Sequence, residues 1–142
     1  MQKLIPENYK ATVQIQDVIA KRLETYLGCE VAVMEGIFTT PWFWMHRGNV
    51  SLANCHDETG VECLVNKLHI DDDFEKNEWI AAIYTFGSML SSLASGHNVR
   101  LIATADDMSC TVRFHLIRKG QEWLDVDIEG YPTPVMYADY LA

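Results

Sequence analysis

Apolar side chains at Ile15, Ile19, Leu23 and Tyr26 recur every three or four residues, Val18 and Leu27 widen the stripe, and Gly28 stands just past it. That spacing puts them on one helical face, and a glycine at the end supplies a left-handed stop, so a helix is predicted over residues 9–27. A second stripe, Trp79, Ile83, Phe86, Leu90 and Leu93, steps four-three-four-three and ends near Gly96. It predicts a helix over residues 73–95, with Asp72 as its cap and Glu75 three positions later in the manner of a capping box. These are the two main helices of the expected fold.

Between them the period falls to two. Cys29, Val31 and Val33 alternate with Ala32 and Met34, which predicts a strand over residues 29–35 that Thr40-Pro41 interrupts. Residues 42–46, 50–55 and 61–70 read as three further short strands in a meander, with Trp42 and Trp44 on one face and Val61, Cys63 and Val65 on another. In the last third, Val99, Leu101 and Ala103 form one set and Val112, Phe114 and Leu116 another. A two-residue Asp106-Asp107 turn pairs Leu101 with Val112 and Val99 with Phe114, keeping both sets on the core side. Leu124, Val126 and Ile128 alternate with Asp125, Asp127 and Glu129, so residues 122–128 are expected to pair beside residues 110–117 through an odd loop, setting Arg113 opposite Asp125 or Asp127. The prolines at 132 and 134 exclude an ordinary central strand for the closing stretch. The expected fold is α+β, a single domain over residues 1–142 with two main helices and a mostly antiparallel sheet.

Composition agrees with a folded domain: 142 residues, 49% hydrophobic and 22% charged. Charge narrows the partners. Twenty Asp and Glu against 11 Lys and Arg leave a net charge of -9, which repels nucleic-acid phosphates and anionic membranes and favours neutral or basic partners. No window is apolar enough to span a membrane and the first residues lack a signal-peptide pattern, so a cytoplasmic location is expected. Cys29, Cys55, Cys63 and Cys110 lack close pairing and are expected as free thiols in apolar strand surroundings.

Chemistry-bearing residues do not converge in sequence. Cys55, His56, Cys63 and His69 lack the close ligand pairs of a structural zinc site, and Cys55, His56 and Asp57 are neighbours that an extended backbone points to opposite faces. No catalytic, cofactor-binding or metal residue is assigned, and a small hydrolase using a histidine and an acidic residue is the alternative reading. Carboxylates do cluster: residues 57–78 hold eight acidic residues and two lysines. A protein-binding surface is therefore expected at Asp71, Asp72, Asp73 and Glu75, with a second at Asp106, Asp107, Asp125 and Asp127, and with Trp42 and Trp44 as compact anchors.

In size, acidity and the hairpin Val112-Arg113-Phe114-His115-Leu116-Ile117-Arg118-Lys119-Gly120-Gln121-Glu122-Trp123-Leu124-Asp125-Val126-Asp127, the chain resembles bacterial immunity proteins that neutralise toxins exchanged between competing cells. The resemblance implies a cytosolic, non-enzymatic inhibitor that covers a toxin domain, often a basic nuclease. An acidic mimic of DNA that engages a nucleic-acid-binding protein is a related expectation.

Overall fold

Four α-helices and two antiparallel sheets are formed by residues 13–124 and 133–142, which the computed structural model describes. Helix α1, Val13–Leu27, buries Ile19, Leu23 and Leu27. Helix α4, Trp79–Leu93, packs against it and buries Trp79, Ile83, Phe86 and Leu90, the stripe read from the sequence. A small hairpin joins β1, Ala32–Met34, to β2, Ile37–Thr39. The main sheet has four strands, β3 (Lys67–His69), β4 (Val99–Ala105), β5 (Cys110–Leu116) and β6 (Val135–Tyr140), in the order β3-β5-β4-β6. Val99, Leu101, Ala103, Val112 and Phe114 enter one core with the buried face of α4. The opposite sheet face carries a smaller apolar cluster of Cys63, Ile102 and Leu124.

Two main helices were expected; α2 (Pro41–Met45) and α3 (Glu58–Val65) make four, three of them of eight residues or more. Both extra helices fall on short apolar runs, where periodicity cannot separate a buried helix from a strand. Local chemistry decides for helix. Thr40 accepts from the Phe43 amide at 3.5 Å ahead of Pro41, and Asp57 accepts from the Gly60 amide at 2.8 Å. Residues 50–55 form turns in place of a strand, held by the Asn54 side chain against Ser51 and Asn49. The capping box lies one turn later than expected: the Glu75 amide donates to the Glu78 carboxylate at 2.9 Å. Phe74 is buried, and that insertion separates Asp72 from the helix it was expected to cap.

The β4–β5 pairing keeps the predicted faces and shifts the register by two. Leu101 pairs with Phe114 and Ala103 with Val112, because the loop has four residues, 106–109, in place of two. The Asp106 carboxylate accepts from the amides of Met108 and Ser109, both at 2.8 Å, and closes that loop. The neighbour of β5 on its far side is β3, so Arg113 stands opposite Lys67, and residues 122–124 are outside any strand. The rest of the predicted strand, with Asp125 and Asp127, lies outside the described residues.

Beyond β3, two side chains of the α3 region extend the edge of β5. Glu62 accepts from the amides of Phe38 and Leu116, each at 2.8 Å. The Asn66 amide group donates to the carbonyls of Phe38 and Phe114 at 2.7 and 3.1 Å, while the Phe114 amide returns a bond to the Asn66 carbonyl. These residues act as an improvised strand that ties β2 to β5 and satisfies backbone groups otherwise buried without partners. Among the described residues no helix is long and apolar enough to cross a membrane.

Candidate functional site

The Asp71–Glu75 segment and the Asp106-Asp107 part of the second predicted surface meet at one end of the sheet. Asp71 to Asp73 lie in a 3-10 turn, Ile70–Asp72, and its following residue, directly after β3, and Asp106 and Asp107 lie in the β4–β5 loop. Asp71 accepts from the amide of Cys110, the first residue of β5, at 2.9 Å. Lys76 spans to Asp107 at 3.8 Å. Glu78 joins the group, so the end gathers seven carboxylates (Asp71, Asp72, Asp73, Glu75, Glu78, Asp106 and Asp107) against two cations, Arg22 and Lys76. Arg22, Phe74 and five of those carboxylates line a shallow cleft of about 310 Å³.

The carboxylates divide by what they already bond. Asp73 accepts from the Tyr26 hydroxyl, and Arg22 donates to the Asp73 carbonyl at 2.8 Å, so both hold α1 to the turn. Burial first, and then the Asp73 carboxylate, pushes the Tyr26 hydroxyl up to about 12. Asp106 is held below the usual carboxylate range by the amides of Met108 and Ser109 that it accepts. Asp71 and Glu78 have the backbone partners already described. Asp72, Glu75 and Asp107 are exposed, and they are the carboxylates this end presents most openly to a partner.

The two tryptophans do not act as a pair. They lie on α2, where positions two apart diverge by about 200° around the axis, in place of the shared strand face expected for them. Trp42 stacks on His46 at 4.0 Å and meets Tyr26 edge-on at 4.7 Å, which sets it beside the acidic end. Trp44 lies under the Arg47 guanidinium at 3.8 Å. Both are half-buried.

A second polar group is internal. Glu62 is fully buried, and Arg118 donates to both its oxygens, at 2.9 and 2.5 Å. With the two backbone donors, all of its accepting capacity is directed to structure. His115, on β5, bonds the Leu116 carbonyl through Nδ1 at 2.7 Å, and among the described residues its Nε2 has no partner. Burial pushes this imidazole below its ordinary value. Cys63 and Cys110 are buried, and burial pushes their thiols up to about 12 and about 11, against the low values of reactive thiolates. Cys29 is exposed and Cys55 half-buried, in contrast to the apolar strand surroundings expected. Among the described residues no three His, Cys, Asp or Glu side chains are gathered to hold a metal ion.

Sequence reasoning named the acidic segments and missed Glu78, Arg22 and Tyr26, whose roles arise from contacts over long separations. Glu78 alone carried a local signal, its position three after Glu75. A family described as Uncharacterized protein PM0498 family matches residues 1–141. No curated protein and no solved structure matches the chain.

Proposed function

Starting from a chain that belongs to the Uncharacterized protein PM0498 family, we propose that it is a protein-binding inhibitor whose acidic end engages a basic protein partner. One observation carries the reading: carboxylates from segments more than thirty residues apart are collected on one end, with Asp72, Glu75 and Asp107 exposed there. Such a field accelerates encounter with a cationic surface and orients it, and the half-buried Trp42 beside it offers an aromatic anchor. In its narrower form the proposal follows the resemblance to immunity proteins, and the partner is a basic toxin domain such as a nuclease, met in the cytoplasm.

The test is capture of partners from bacterial cytosol with the wild-type chain, followed by association kinetics of the captured protein with the triple variant Asp72→Lys, Glu75→Lys, Asp107→Lys. The expected result is association slowed at least tenfold with the thermal midpoint lowered only slightly, because the three side chains project into solvent and what they hold locally is the Glu75 cap and the exposed Lys76–Asp107 pair. Association at the wild-type rate, or capture of no basic protein, overturns the assignment.

A further inference from the structure

The register of the main sheet sets two cations against each other. Where a carboxylate was expected opposite Arg113, β3 brings Lys67. Residues directly opposite in an antiparallel ladder share a face with Cβ atoms about 4.5–5.5 Å apart, and like charges so placed destabilise the pair. Nothing in the charge balance favours this arrangement, since 20 acidic residues against 11 basic ones make a carboxylate the more available neighbour. Neither cation is free in solvent. Both side chains are partly buried, and burial first, then the Arg113 charge, holds the Lys67 ammonium below its ordinary value. Burial likewise lowers Arg113.

The neighbouring arginines are neutralised. Arg100, on the same sheet face, donates to Asp139 through two N–H groups at 2.7 and 3.0 Å, and Arg118 has Glu62. Among the described residues neither Arg113 nor Lys67 has a carboxylate within 4.0 Å. Arg113 is nevertheless held in place from two sides. It donates to the Cys63 carbonyl in the last turn of α3 at 2.9 Å, and its guanidinium lies 5.4 Å from the centre of the Trp123 ring. The helix contact accounts for an arginine at this position and takes one of its five N–H groups. It gives no reason for a lysine opposite. Two adjacent, partly desolvated cations, one a planar fork and one a point charge, are stabilised together by an oxyanion that carries more than one negative charge.

We infer that Lys67 and Arg113 together bind a dianionic phosphate group, either inorganic phosphate or the phosphate of a small monoester, with the guanidinium on two of its oxygens and the ammonium on a third. A phosphate monoester carries about 1.5 to 2 negative charges at neutral pH, which matches the two cations. None of the carboxylates of the acidic end takes part, so this site stands or falls independently of the protein partner proposed there.

The experiment titrates inorganic phosphate and phenyl phosphate into the full chain at an ionic strength held constant with sodium chloride, following the Arg113 Nε–H and Trp123 indole N–H resonances together with calorimetry. Phosphate is expected to shift both resonances saturably and to raise the thermal midpoint, and chloride to do neither. Tighter binding of phenyl phosphate than of phosphate assigns the site to a monoester, and equal or weaker binding to the free ion. Lys67→Met removes the repulsion, so without phosphate it should unfold at the same or a higher temperature, while binding phosphate at least tenfold more weakly. Lys67→Arg keeps the charge and should retain binding. Failure of millimolar phosphate to shift the two resonances overturns the inference, as does wild-type phosphate affinity in a folded Lys67→Met chain. Phosphate binding that arises only after Asp125→Asn and Asp127→Asn overturns it too, because the two cations then belong to carboxylates of the chain itself.

Discussion

At the scale of single residues, the molecule depends on polar groups placed where water is excluded. Glu62 is wholly buried, whereas the side chain of Arg118 is 20% exposed. Removing the cation therefore leaves a charge that has no route to solvent. Arg118→Leu should destabilise the chain by about 3–5 kcal/mol in urea unfolding, and adding Glu62→Gln should recover part of that loss, because the uncompensated charge is removed while the Gln carbonyl still accepts from a backbone amide. A double-mutant cycle showing simple additivity would sink this account. His115 gives a pH dependence of known sign. Burial lowers its folded pKa, with Glu62 opposing that shift and Arg100 and Arg118 reinforcing it. The unfolded chain therefore binds the proton first as pH falls below about 6.5. This contribution is fully favourable above that value and is lost progressively below it. Unfolding midpoints at about pH 7.5 and about pH 5.5 should differ more in the wild type than in His115→Gln.

Elements meet with little clearance where α4 crosses the sheet. A methyl added to Gly87 would lie 2.1 Å from the Tyr140 hydroxyl of β6 and 3.2 Å from Leu101 of β4. Alanine improves helix propensity by about 1 kcal/mol over glycine, yet the strained packing should outweigh that gain by about 1–2 kcal/mol net. Gly87→Ala is thus expected to lower the thermal midpoint, and Tyr140→Phe in the same chain to restore part of it by removing the nearest atom. At this scale the long stripe of α4 and the alternation of β4 and β5 were legible, because each repeats a period over seven or more residues. The five-residue α2 and eight-residue α3 were not. Their apolar positions satisfy either period, and the choice rests on the Thr40 and Asp57 caps and on burial of Val61, Cys63 and Val65 together.

For the whole molecule, a net charge of -9 sets the long-range field, and the fold concentrates carboxylates at one end. Raising salt from about 0.05 M to about 0.5 M should slow association of the wild type with a basic partner several-fold, since the screening length shrinks from about 14 Å to about 4 Å. The triple-reversal variant should show a weaker dependence in the same stopped-flow measurement. Sequence by itself determined the α+β class, the faces of the long elements and the presence of two acidic segments, because periodicity and charge are properties of neighbouring residues. Only the tertiary structure decided that Asp71 would reach Cys110 and that Glu62 and Asn66 would complete the edge of β5. Those outcomes depend on which buried backbone groups find donors and acceptors across separations of about forty residues or more, and local pattern carries no information about that competition.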